Sequence, residues 1–229
     1  MFYFDPQYLF FMLPALLVSL LASILLRIWT NEYLSRPNST NLNGYDVMQK
    51  ITTSSNLRIE FSISPGDLTD HYDPSKKLLV LSNSVAQRPT IGSVAIAAHE
   101  LGHAKQHQDK SILLGLRGVI VPVVNIGTNL GYVLIIIGLV LSFSELAWLG
   151  VVFFSFSTLF SFLTLPIEID ASAKAIKMIR KNSLLSNSEI GGAKKVLIAA
   201  SLTYIAGTIS SLANLAYFVF RVRGINNRD

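Results

Sequence analysis

Ser93-Val-Ala-Ile-Ala-Ala-His-Glu-Leu-Gly-His-Ala-Lys-Gln-His107 is an alanine-rich run with an H-E-x-x-H pattern inside it, His99-Glu100-Leu101-Gly102-His103. The alanines favour helix. On a helix, residues four apart share a face, so both imidazoles can reach one ion. Glu100 can then reach a water activated by that ion and serve as its general base. The pattern points to zinc-dependent peptide hydrolysis. The bland alternative is a surface helix with two unrelated histidines. Gly102 weakens a helix, and its missing side chain would let another segment come close. His107, one turn further on, would have to reach past His103 and reads as a supporting or surface residue.

Composition sets the surroundings. Of 229 residues, 51% are hydrophobic and 14% charged, where a soluble domain carries about a quarter charged. Mean hydropathy is +0.47, which points to a membrane. The net charge of +5 does not indicate nucleic acid, because the basic residues flank apolar runs and form no stripe with interleaved aromatics. The chain has no Cys, so thiolate zinc sites and disulfides are excluded. Any zinc must be held by His and carboxylate.

Four apolar runs are long enough to cross a bilayer as helix: Tyr8 to Trp29, Val119 to Phe143, Ala147 to Leu165 and Val196 to Phe220. The first lacks a basic leader and an A-x-A cleavage site and reads as an uncleaved anchor. Only Ser144-Glu145-Leu146 separates the second from the third, which makes an antiparallel hairpin. Polar and small residues within the runs, such as Thr128, Asn129 and Ser210, mark helix packing or a water-filled cavity. The expected organisation is an anchor (1–30), a cytoplasmic subdomain (31–118), a transmembrane hairpin (119–165), a cytoplasmic segment (166–195) and a last membrane helix with a basic tail (196–229). Sixteen of the nineteen Lys and Arg residues fall in Arg27–Arg117 and Lys174–Lys195. That side is cytoplasmic by the positive-inside rule. Arg221, Arg223 and Arg228 run against the rule, and a re-entrant or interfacial last run would explain them.

The segment before the motif alternates between element types. Gly44 to Ile51 reads as a short amphipathic helix. Leu57 to Ile63 alternates like a strand, Ser64 to Asp67 turns, and Leu78 to Ser82 is a second strand. The fold class is therefore mainly α and integral to the membrane. About four transmembrane helices carry a small α+β zincin-like cytoplasmic subdomain, a short sheet plus the H-E-x-x-H helix. The Leu78 to Ser82 strand is expected to present a substrate backbone.

Catalytic zinc takes three protein ligands and keeps one position open. Pro166 ends the third run or opens a new helix, and Glu168, just past it at the cytoplasmic mouth of the third run, is the favoured third ligand. Asp170 and Asp109 are the alternatives. Asp109 sits six residues past His103, but Gln106 stands where the extended pattern has a turning glycine.

Several separated motifs add a resemblance: Asp70-His71-Tyr72-Asp73-Pro74, Leu81-Ser82, Ala97 through Gln108, Leu165-Pro-Ile-Glu-Ile-Asp-Ala-Ser172 and Ala199-Ala-Ser-Leu-Thr-Tyr204. In this order they resemble the YugP-like neutral zinc metallopeptidases of bacterial membranes, from about Gly44 to Tyr204. The resemblance implies zinc, an integral membrane location and proteolysis, without a named substrate. The Glu168-Ile-Asp-Ala171 segment is also similar to the zinc site of the HtpX-type membrane metallopeptidases. That match implies Glu168 as the third ligand. It puts Ser172 where those proteins have an Asp supporting a ligand His, so a hydroxyl or a backbone carbonyl must do that work here.

The sequence thus leads to a zinc metallopeptidase, endopeptidase and gluzincin-like, in the bacterial cytoplasmic membrane with its active site on the cytoplasmic side. His99, His103 and Glu168 are the expected Zn2+ ligands and Glu100 the general base, with His71 and Tyr72 as candidate donors to the oxyanion; the plain alternative for that pair is a turn, signalled by Asp73-Pro74. The expected partners are a peptide or membrane-protein substrate and the lipid bilayer. The rival is a non-catalytic membrane scaffold or chaperone-like protein that retains a zincin-like fold. A closed structural zinc site needs four ligands, which this chain supplies poorly.

Overall fold

A computed structural model describes residues 5–226. Its elements are α1 (Pro6–Ser35), α2 (Gly44–Ser55), β1 (Glu60–Ser64), β2 (His71–Asp73), β3 (Leu78–Ser82), α3 (Asn83–Gln87), α4 (Ile91–Gln108), α5 (Ile112–Val140), α6 (Ser144–Lys181) and α7 (Ile190–Asn226). The protein is a mainly α membrane protein with a small α+β part. Four helices are long and apolar enough to span a bilayer: α1, α5, α6 and α7. Met1 to Phe4 of the anchor and Arg228 of the basic tail lie outside the described residues.

The chain forms two compact units. One is built from the chain up to Ala22, Leu116–Leu165 and the chain from Thr203 onward; the other from Ser23–Gly115 and Pro166–Leu202. In the first, the α5–α6 hairpin turns at Leu141–Phe143. Ser142 adopts the left-handed region (φ 52), and the Phe143 N–H closes on the Gly138 carbonyl at 2.8 Å, which satisfies the helix end. The two backbones touch: a Cβ on Gly138 would lie 2.5 Å from the Ala147 nitrogen. Small residues permit such contact where lipid supplies no hydrophobic drive between helices. The hydroxyls of the spans are satisfied in two ways. Thr128 and Thr164 donate to carbonyls of their own helices at 2.7 and 2.9 Å. Thr158 pairs with Ser211, and Ser19 with Ser210, across helices.

In the second unit, α2 starts on a reciprocal cap: the Asn43 side chain accepts from the Asp46 N–H, and the Asp46 carboxylate from the Asn43 N–H. It stops at Asn56, in the left-handed region. The sheet has the order β1-β3-β2, with β1 parallel and β2 antiparallel to β3. Leu79 to Leu81 are buried, as suits a central strand covered on both faces. Ile51, Leu79, Leu81, Leu101, Ile179 and Leu197 join one core that holds α4 in place.

Four expectations need correction. The Leu78 to Ser82 strand is paired on both sides, so it has no free edge for a substrate; β1 and β2 form the edges. His71-Tyr72-Asp73 is a strand, too short to show an alternation. The helix does not break at Pro166. α6 continues through it, because burial of Ile167 and Ala171 beyond the proline offsets the one backbone hydrogen bond it removes. The fourth apolar run is no re-entrant piece: α7 is one uninterrupted helix carrying Arg221 and Arg223.

Candidate metal centre

α4 carries His99 and His103 on one face, and α6 brings Glu168 to them. All three lie in the second unit. The two helices meet where Gly102 faces Ala171. A Cβ on Gly102 would lie 2.5 Å from the Ala171 carbonyl oxygen, so a side chain there would push the helices apart. The close approach expected of Gly102 is therefore present.

The donor atoms converge. Glu168 Oε2 lies 3.3 Å from His99 Nε2 and 3.4 Å from His103 Nε2. One ligand atom from each of the three residues falls within 4.8 Å of the others. Zinc bonds of about 2.0–2.2 Å in a tetrahedron place neighbouring ligand atoms about 3.3–3.5 Å apart, which the two carboxylate–imidazole distances match. The donor set, two imidazoles and a carboxylate, also suits zinc and leaves a fourth position open. Glu168 is only 2% exposed, and a carboxylate so buried needs a cation beside it.

Behind each imidazole stands a polar partner. Ser172 Oγ lies 3.2 Å from His99 Nδ1. Gln106 Oε1 lies 2.9 Å from His103 Nδ1. The Gln106 amide nitrogen donates to the Ile167 carbonyl at 2.8 Å and to the Asp170 carboxylate at 2.7 Å. Lys174 grips that carboxylate through both oxygens. The hydroxyl partner of His99 follows from the position of Ser172 in its motif. The sequence marked Gln106 only as the residue in place of a turning glycine, although its place three residues after His103 on one helix was a usable signal of this contact. Burial opposes protonation of His103. The hydrogen-bonded Glu168 and the nearby Glu100 outweigh it, so its pKa stands above the ordinary imidazole value.

The other expected residues are placed as follows. Glu100 is partly exposed and close enough to raise the pKa of both His103 and Asp70. Burial is the main cause of the upward shift at Asp70, against hydrogen bonds from the Ser82 N–H and hydroxyl. Asp109 caps the end of α4 and pairs with Lys105 at 2.6 Å, and Asp170 faces Gln106 and Lys174. Neither belongs to the donor group. His71 is exposed, its Nδ1 held by the Thr69 carbonyl. Tyr72 lies on β2 with its hydroxyl 2.9 Å from His107 Nδ1. His107 is thus a partner of Tyr72 and no part of the donor group.

A family model described as "Putative neutral zinc metallopeptidase" matches residues 8–223. The chain is 34% identical over 224 residues to "Putative membrane protease YugP" of Bacillus subtilis (strain 168), covering 97% of this chain and 98% of that protein. No solved structure gave a significant match. The chain belongs to the neutral zinc metallopeptidase family, and its His99, His103 and Glu168 group is positioned to bind that family's zinc.

Proposed function

We propose that the protein is a gluzincin-like endopeptidase, with His99, His103 and Glu168 as the zinc ligands and Glu100 as general base. The convergence of two Nε2 atoms and one buried carboxylate oxygen beside Glu100 carries this reading. Zinc held by these three residues would supply Lewis acidity and lower the pKa of a water. Glu100 takes a proton from the attacking water and returns it to the leaving amine. Glu100 is free for this work because it is adjacent in sequence to a ligand without belonging to the donor group. The free edge of β2 accepts an extended substrate by strand addition. Tyr72, on that strand, offers its hydroxyl to the developing oxyanion. The chain crosses the membrane more than once, and the basic segments put the site on the cytoplasmic side, where peptides or membrane proteins are its substrates.

The test is Glu100→Gln in the full chain purified in detergent. It should retain one zinc per chain and lose peptide cleavage by about 100-fold or more. Cleavage close to the wild-type rate would remove Glu100 from the mechanism.

A further inference from the structure

His103 and His99 differ in how their second nitrogens are held. Ser172 offers His99 a hydroxyl, which can donate or accept, so this contact leaves the tautomer of His99 open. Gln106 is different. It is 1% exposed, and every hydrogen-bonding atom of its amide has a partner. On one side stand two groups that can only accept: the Ile167 carbonyl at 2.8 Å and the Asp170 carboxylate at 2.7 Å. The amide must turn its NH2 to them. Its Oε1 is then forced towards His103, 2.9 Å from Nδ1. A carbonyl oxygen only accepts, so Nδ1 must carry the proton. The lone pair of neutral His103 is left on Nε2, the atom that faces Glu168 at 3.4 Å.

The geometry points to Gln106 as a positioning residue that locks His103 in the one tautomer able to ligate metal through Nε2, with Asp170 and Lys174 setting the direction of the amide. The assignment rests on the metal-centre reading above. Asp170 lies 64 residues from Gln106 in sequence and is itself gripped by Lys174 at 2.6 and 2.7 Å, so α6 dictates which way a side chain of α4 points. A neutral carboxamide does here what a carboxylate commonly does behind a zinc-bound histidine. The negative charge sits one hydrogen bond further out, where Lys174 balances it.

The experiment uses the full chain in detergent and reads zinc affinity by competition with a chelator. It also reads the 15N chemical shifts of histidine side chains in the zinc-free protein at alkaline pH. Gln106→Leu keeps the volume and removes both the acceptor and the donors. It should weaken zinc binding by about 10–100-fold, and His103 should shift from a pure Nδ1–H form to a tautomer mixture. Asp170→Ala, on the partly exposed side of the network, should give a smaller loss in the same direction, because Ile167 still holds one amide hydrogen. It serves as the decisive variant if Gln106→Leu fails to fold. Zinc affinity within twofold of wild type in the folded variants, or a His103 tautomer that does not change, overturns the assignment. So does a loss of affinity matched by an equal loss of stability in the zinc-free protein, which marks Gln106 as packing. A wild-type chain that takes up no zinc overturns the metal centre itself, a result distinct from these.

Discussion

In the unit built from the hairpin and the two chain ends, Val119, Ile126 and Val140 are 73%, 71% and 76% exposed. In the unit built from Ser23–Gly115 and Pro166–Leu202, Leu79, Leu81 and Leu101 are fully buried. Similar side chains point outward at the first three positions and inward at the other three. Hydrocarbon surrounds the first, so apolar surface gains nothing by hiding, and its helices hold together through glycine contacts and hydroxyl bonds. In the second, burial of apolar area drives the assembly of its core. Buried polar groups there cost free energy unless partnered, and at the metal centre His103 is held by Gln106, and Gln106 by Ile167 and Asp170. A polar network packed against such a core has the rigidity a metal centre requires.

The contrast can be broken most sharply at its polar heart. Glu168→Ala should abolish zinc binding, with metal content falling from one equivalent to background and activity by about 100-fold or more. Asp109→Ala should retain the metal, and metal analysis of the two side by side is the check. Next comes truncation of matched apolar residues. Leu81→Ala should lower unfolding free energy by about 2–5 kcal/mol. Ile126→Ala, exposed to lipid or detergent, should change it by less than about 1 kcal/mol, as measured by denaturant unfolding in detergent.

Gly102→Ala comes third. Its Cβ would meet backbone and not a flexible side chain, so α4 and α6 must separate at a cost of about 1–3 kcal/mol. Zinc affinity should fall more than that strain alone implies, since His103 and Glu168 lie on the two displaced helices. Chelator competition and thermal unfolding together measure both effects. The smallest effect is one of pH. His103 has a raised pKa in the zinc-free fold, so its proton stabilises that form fully below the ordinary imidazole value. This stabilisation fades as pH rises through the higher folded value. Zinc must displace that proton, so the gain in melting temperature from added zinc should grow with pH across the same window.

Much of this was legible locally. The spacing of His99 and His103, the adjacency of Glu100 and the length of the apolar runs are properties of short stretches, and a helix converts each into geometry by its own period. Gly102 announced a close contact without naming the partner. Other features resisted because their causes are distant or brief. Three residues are too few for β2 to show an alternation. Pro166 looks like a helix end until the burial of Ile167 and Ala171 on its far side is known. Leu78–Ser82 reads as a strand, but whether it is an edge or the centre depends on β1 and β2.

The chain alone determined that two imidazoles share one helix face with a carboxylate next to the first, and that four helices are long and apolar enough to cross a membrane, because hydropathy and helical period act between near neighbours. Only the tertiary structure decided that Glu168 meets Nε2 of both histidines, and that Gln106, tied to Ile167 and Asp170, faces the other nitrogen of His103. The pairings that join α4 to α6 span more than sixty residues, and they exist because a missing side chain at Gly102 lets α6 lie against α4.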